Sequence, residues 1–194
     1  MSPLDVKNPK IVKEEIQKLL ESDDRIDEKL IPTVKGALVQ AWTLEELNLL
    51  SSHYIIVNNV NLDFDPAFTD HSDGMKVEEA HVDHVVIGMT TVFAIQSTNL
   101  DDYETGFESI EQASKDAKAL WFYLKNVMGI DVTVKELISN IKDDRWDVIR
   151  KPVERISDYV FKRDTYWGRV SEPNIDQNEI LESMLTARTL SELS

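Results

Sequence analysis

Residues 81 to 99 read HVDHVVIGMTTVFAIQSTN, two apolar runs joined by a short turn. Each run has the length of a strand, and a glycine at the junction is typical of a tight turn, so the stretch predicts a β-hairpin inside a sheet. Asp83 and His84 stand within the first run. A buried strand pair is normally apolar throughout. These two polar residues therefore raise the question of what chemistry, if any, the hairpin supports.

Helical and strand patterns alternate around the hairpin. The sequence predicts helices over residues 9–21, about 32–52, 107–127, 142–163 and 175–194, a strand over 54–62 and an exposed loop over 63–80. The short run IDVTV at 130–134 fits either a strand or the start of a helix. This order predicts an α/β fold with a mainly helical C-terminal extension. We divide the chain into an N-terminal helical extension (1–32), an α/β core (33–130) and a mainly helical C-terminal region that packs on the core (131–194).

Composition limits the classes of function. The 194 residues include no cysteine, so thiolate zinc sites, disulfides and cysteine nucleophiles are excluded. No apolar run approaches the roughly 20 residues needed to span a bilayer, and no signal peptide is visible, so we expect a soluble, cytoplasmic protein without membrane contact. The net charge is −15, and residues 35–110 alone carry 2 basic and 13 acidic side chains. Because phosphate binding depends on Lys and Arg, this balance argues against a nucleic-acid surface.

Two kinds of metal site are conceivable at the hairpin. A histidine-ligated ion would draw on a group of imidazoles and carboxylates, but in a strand residues 81 and 83 share a face while 84 points the other way. That group comprises His71, Asp73, His81, Asp83 and His84. A magnesium site would instead use Asp83 with a Glu and a Lys two residues apart on the second strand. The sequence has Gln96 and Thr98 at those places.

The hairpin resembles the core of the nuclease-related domain (NERD), a branch of the PD-(D/E)xK restriction-endonuclease-like superfamily. The resemblance rests on the Asp-His pair, both apolar runs, the turn glycine, the Phe, the Ile and the closing Asn of VDHVVIGMTTVFAIQSTN. Upstream, KGALVQAWTLEELNLLSSHYIIVNNV has the family's helix and strand, and downstream IEQASKDAKALWFYL matches its late helix. Coverage is about residues 33–127. The resemblance implies a restriction-endonuclease-like mixed sheet flanked by helices.

The resemblance also assigns site residues, with departures. Asp83 matches the family's metal-binding aspartate, His84 its companion and Gln112 the glutamine of the late helix. Ala37 stands where the first helix would place a glutamate, Gln96 replaces the metal-binding glutamate, and Thr98 replaces the lysine. Loss of one carboxylate and of the ammonium weakens both cation binding and transition-state stabilisation. The positions that match the family's catalytic motif are Asp83, Gln96, Thr98 and Gln112, and we expect them to be inactive.

Three functions follow as hypotheses. The leading one is a catalytically degenerate nuclease fold that acts as a binding or regulatory module and needs no cofactor. Its partner would be a protein rather than nucleic acid, either another protein or a second copy of the chain. The second is an active magnesium-dependent DNA nuclease in which the carboxylate site has migrated to Glu78, Glu79, Asp101 or Asp102. The third is a structural or interaction protein, such as a virion component or an acidic inhibitor. The basic-aromatic residues between 145 and 167, Tyr159 and Arg163 among them, have their charge nearly cancelled by neighbouring aspartates.

Overall fold

A computed structural model describes residues 31–69, 74, 76–98, 103–142, 145–148, 151–153, 156–170 and 175–191. The helix predicted at 9–21 lies outside this range. The described chain contains four helices and six strands. They are α1 (Ile31–Leu47), β1 (Ile55–Thr69), β2 (Lys76–Ile87), β3 (Val92–Ser97), α2 (Tyr103–Phe122, extended by a π-helical turn over Tyr123–Val127), β4 (Val134–Lys142), β5 (Arg145–Val148), β6 (Lys151–Val153), α3 (Ile156–Val170) and α4 (Gln177–Ser191).

The strands form one sheet in the order β1-β2-β3-β4-β5-β6. Four of the five pairings are antiparallel, and the β3–β4 pairing is parallel because α2 carries the chain back between them. The sheet is therefore mixed and flanked by helices, which confirms the predicted α/β class. Within the described residues, no helix combines the length and the apolar character needed to cross a membrane.

Each face of the sheet has its own apolar core. One face is covered by α2 and α4, whose Leu120, Leu124, Ile180 and Met184 pack on Val85, Ile87 and Ala94. The other face is covered by α1 and α3, where Leu47, Ile156 and Val160 pack on Val86, Phe93 and Ile95. Because β2 and β3 are buried on both sides, their sequences read as continuous apolar runs rather than as alternating ones.

The turn of the hairpin is held by a carboxylate from α3. Asp164 is fully buried, and its oxygens accept hydrogen bonds from the main-chain N–H of Met89 and of Thr90, 3.0 Å each, and from Thr90 Oγ1 at 2.8 Å. A Cβ on Gly88 would lie 2.7 Å from Asp164 Oδ1. The glycine is thus required by a close approach of α3 to the turn.

Asp176 caps α4, and Gln177 connects the helix to the same end of the sheet. Asp176 Oδ1 accepts hydrogen bonds from the main-chain N–H of Asn178 and Glu179, which caps the helix. Gln177 Nε2 lies 2.7 Å from the carbonyl oxygen of His53 and 3.0 Å from that of Gly88. The loops at this end of the sheet are therefore bound to α3 and α4 by side chains.

Two local predictions are wrong. The acidic segment 63–80 is not one loop, because β1 continues to Thr69 and β2 begins at Lys76, with a register shift between Asp63 and Phe68 that absorbs the Pro-containing stretch. The helix predicted over 142–163 is replaced by β5, β6 and the first part of α3. IDVTV leads into a strand, β4, which joins the core sheet. The division at residue 130 stays a prediction.

Candidate functional site

Asp83 and Gln96 face one another across the two strands of the hairpin. The β2–β3 ladder pairs His84 with Ile95, so the next positions in register are Asp83 and Gln96. Gln96 Oε1 lies 3.4 Å from the main-chain N–H of Asp83, a long hydrogen bond. The geometry that the nuclease resemblance requires of these two positions is therefore present, but the second position presents an amide instead of a carboxylate.

The Asp83 carboxylate is only 3% exposed and both of its oxygens are engaged. Oδ1 accepts a hydrogen bond of 2.8 Å from Gln40 Nε2 on α1, and Oδ2 accepts one of 2.7 Å from the main-chain N–H of Ser97. His81 Nε2 lies 3.3 Å from Oδ1. The carboxylate therefore joins α1, β2 and β3, and a metal ion at Asp83 would have to compete with these contacts.

A break in strand alternation accounts for the burial of a polar residue at this point. Val57 and Val60 pack in the same core although they are three residues apart, and so do Val82 and Val85. In a regular strand only residues separated by an even number of positions share a face. Asn59, which lies opposite Asp83, has φ 54°, a left-handed conformation that Asn tolerates better than most residues. The apolar core therefore continues on both sides of Asp83 without including it.

His84 is held as a neutral ring. It is 4% exposed, and its Nδ1 lies 2.8 Å from Asn58 Oδ1 on β1. Burial lowers the pKa of His84 to about 4, although the Asp83 carboxylate acts in the opposite direction. Its Nε2 is buried and, among the described residues, has no hydrogen-bond partner. A neutral, enclosed imidazole suits a structural role better than proton transfer at neutral pH.

A second buried carboxylate, Asp116 on α2, lies beside the same strand. It is 2% exposed; Oδ1 accepts a hydrogen bond of 2.8 Å from Gln112 Nε2, and Oδ2 has no partner among the described residues. Burial raises the pKa of Asp116 to about 6. The hydrogen bond to Asp83 raises the pKa of His81, and the charge of Asp116 adds to the rise. His81 therefore lies within the field of both carboxylates.

Asp116 should weaken the folded state as the pH rises. Its pKa is higher in the folded protein than the ordinary 3.8, so the folded state binds the proton more tightly, and stability present below about pH 4 is lost as the pH rises through about 6. In Asp116→Asn this loss is absent. We expect its unfolding free energy, relative to wild type, to increase by up to about 3 kcal/mol between about pH 4 and pH 7.5, measured by urea denaturation.

Asp63→Asn, which removes one carboxylate at an exposed position of β1, is the control substitution. Parallel curves for Asp116→Asn and wild type would contradict the assignment.

The other predicted residues are only partly assembled around Asp83. Gln112 is exposed and reaches Asp116 rather than Asp83. Thr98 follows β3, where its main-chain N–H donates to the Ser139 carbonyl at 2.9 Å. Glu78 is exposed and forms an ion pair of 2.6 Å with Lys76, which lowers the pKa of Glu78. His71, Asp73, Asp101 and Asp102 lie outside the described residues, and Glu79 is exposed on β2.

Sequence reasoning missed Gln40 and Asp116. Helix α1 brings Gln40 to Asp83. The sequence contains one indication of this contact, because Gln40 lies one helical turn after Ala37, the position that matches the family's glutamate. Asp116 likewise lies one turn after Gln112. A chain of hydroxyls completes the contact with α1, because Thr43 Oγ1 lies 2.7 Å from Ser139 Oγ and accepts a 3.2 Å hydrogen bond from Ser97 Oγ.

The arrangement does not fit a magnesium centre. Across the described ranges, no three His, Cys, Asp or Glu side chains are grouped so that they could hold a metal ion. Asp83 supplies one carboxylate whose two oxygens already accept hydrogen bonds, and the side chains that contact it are the amide of Gln40 and the imidazole of His81. Magnesium is normally held by carboxylates and water in a near-octahedral shell. What the site can do as it stands is fix α1 and the hairpin in one geometry.

The mixed sheet, the hairpin and the helices around it define a nuclease-like α/β fold. The family model of the nuclease-related domain matches residues 35–139, more than half of the chain. The chain belongs to the nuclease-related domain family, as the hairpin predicted. A comparison with curated protein sequences gave no match.

Proposed function

We propose that this domain has lost nuclease catalysis and acts as a binding or regulatory module. The observation that carries the proposal is the state of the Asp83 carboxylate, whose oxygens accept hydrogen bonds from Gln40 and from the main chain of Ser97. Gln96 and Thr98 offer neither the second carboxylate nor the ammonium that phosphoryl chemistry needs beside the scissile phosphate. No cofactor is part of the proposal.

The partner is a protein rather than a nucleic acid. Residues 35–110, which include the hairpin and Asp83, carry a net charge of −11. A phosphate backbone would be repelled by such a region, whereas a protein surface does not carry a uniform negative charge. A second copy of the chain would also be a protein partner, and self-association can be measured directly by sedimentation.

A cleavage assay tests the loss of catalysis. The purified chain is incubated with plasmid, linear and single-stranded DNA in magnesium or manganese, beside Asp83→Asn and the exposed control Asp63→Asn. We expect all three proteins to give the same background, because Gln96 and Thr98 supply neither a second carboxylate for a metal ion nor a cation for the phosphate. Cleavage by wild type and Asp63→Asn that Asp83→Asn abolishes would refute the proposal.

A second candidate function is a nuclease with a migrated carboxylate. One observation favours it, since Asp116 is a buried carboxylate whose Oδ2 has no hydrogen-bond partner among the described residues, and it acts on His81, two residues before Asp83 in β2. In that case Asp116→Asn would abolish cleavage as completely as Asp83→Asn, and Gln112→Ala would reduce it. Cleavage that is insensitive to Asp116→Asn would remove this candidate.

A further inference from the structure

Among the described strands, none covers the outer edge of the first half of β4. β4 pairs with β3 from Val134 to Ser139, but with β5 only from Ser139 to Lys142. Within the described chain, therefore, no strand pairs with the outer side of residues 134–138. An unpaired strand edge presents a row of N–H and C=O groups that can take up another strand.

The hydrogen-bond pattern identifies which groups point outward. The N–H of Val92 donates to the Thr133 carbonyl, and the N–H of Thr98 donates to the Ser139 carbonyl. In a parallel pair, alternate residues bond to one side, so the odd-numbered residues of β4 direct their main-chain groups at β3. Val134, Glu136 and Ile138 direct theirs at the open side.

A groove of about 510 Å³ lies along this edge, between α2 and α3. Its lining includes Val134–Leu137, with Trp121 of α2 on one side and Tyr159 of α3 on the other. Trp121 is 40% exposed, an uncommon state for so large an apolar ring. A groove with aromatic walls beside a strand edge that no described strand covers is the arrangement that extended peptides use when they add to a sheet.

The charge of the groove is opposite to that of the protein. Lys118, Lys135 and Arg163 line it with a single carboxylate, Glu136, whereas the whole chain has a net charge of −15. Arg163 is further positioned by Tyr159, whose hydroxyl accepts a 3.2 Å hydrogen bond from its Nε and whose ring lies 5.2 Å below it. The basic side chains of this groove therefore complement the acidic side chains of a ligand.

We propose that this groove binds an extended acidic peptide segment of a partner protein, which adds a strand beside residues 134–138. Five residues of β4 give a ladder about 17 Å long, enough for a peptide of similar length. A peptide fits better than single-stranded DNA because its main chain supplies N–H and C=O groups, and because its lower charge density meets less repulsion from the acidic chain. The inference deepens the proposed function by giving the binding module a surface, and it rests on that function.

The test uses the full chain and a fluorescein-labelled octapeptide of four Glu-Val repeats, with fluorescence polarisation as the readout. Glu136→Pro removes an outward N–H and leaves the bonds from β4 to β3 intact, since Pro is tolerated at strand edges. Glu136→Ala, the matched control, removes the same carboxylate and keeps the N–H. We expect Glu136→Pro to weaken binding at least tenfold relative to Glu136→Ala.

A second pair of variants tests the positive charge of the groove, and it decides the question even if Glu136→Pro does not fold. Arg163→Glu reverses a charge in the groove, and Lys162→Glu makes the same change at an exposed position of α3 outside the lining. We expect at least fivefold weaker binding for Arg163→Glu and less than a twofold change for Lys162→Glu.

Three results would overturn the inference: no binding of the peptide at millimolar concentration, tighter binding of an oligothymidylate octamer, or equal effects within both pairs. None of these assays measures DNA cleavage. A negative result would therefore overturn the peptide groove but not the proposed loss of catalysis, which the cleavage assay tests separately.

Discussion

Replacement of Gly88 by alanine should lower the free energy of unfolding by about 3 kcal/mol or more, the largest single effect we expect. The new Cβ would lie within 2.9 Å of three atoms of the Asp164 carboxylate. That carboxylate is fully buried and accepts the hydrogen bonds that close the turn, so it has no free direction in which to move. Urea denaturation at neutral pH measures the loss.

Gly36→Ala is the matched control. Gly36 lies in α1, where an added Cβ meets no atom within 4 Å. Because alanine favours the helix over glycine, this variant should be more stable than wild type by about 0.5–1 kcal/mol. Equal, small effects of the two substitutions would show that Asp164 does not fix the turn.

Replacement of Asp83 by alanine should destabilise the fold by about 3 kcal/mol, as expected when one partner of a buried, charged hydrogen-bond group is removed. The variant leaves the Ser97 N–H and the Gln40 amide without their acceptor in a site that is almost closed to water. Thermal and urea unfolding measure the change. If Asp83 were retained only for catalysis, its replacement by alanine would leave the free energy of unfolding unchanged or raise it.

Asp83→Asn separates the hydrogen bonds from the charge. Asparagine keeps one acceptor oxygen for the Ser97 N–H, and Gln40 can reverse its amide to accept from the new NH₂ group. We therefore expect a loss of only about 1 kcal/mol, a typical value for one weakened hydrogen bond. If Asp83→Asn were as damaging as Asp83→Ala, the charge rather than the hydrogen-bond network would be the stabilising element.

The elements that sequence reasoning predicted well are those with a long or distinctive pattern. The hairpin is a continuous apolar run on each side of a glycine, and α1 and α2 each repeat apolar residues over several turns. The segment 142–163 was wrongly predicted to be a helix, because apolar residues spaced three and four apart over a short stretch do not exclude short strands. Pro152 is a poor residue for the interior of a helix, and it lies in β6, the last of the described strands in the sheet, at an edge where proline is tolerated.

Half of the candidate site was visible in the sequence and half was not. The register of a hairpin follows from local spacing, so the approach of Asp83 to Gln96 could be predicted. Gln40 reaches Asp83 across 43 residues, and Asp116 approaches His81 from a helix on the other side of the hairpin. Such contacts depend on how helices pack on the sheet, which periodicity alone does not determine.

Binding of divalent metal tests the central claim most directly, because catalysis by a nuclease of this fold depends on it. Titration of the purified chain with manganese and with magnesium, followed by calorimetry, should give no binding heat at millimolar concentration, since the oxygens of Asp83 are engaged and Gln96 supplies no charge. Millimolar or tighter binding that Asp83→Asn abolishes and Asp63→Asn retains would contradict the account. The active-nuclease hypothesis would then be favoured.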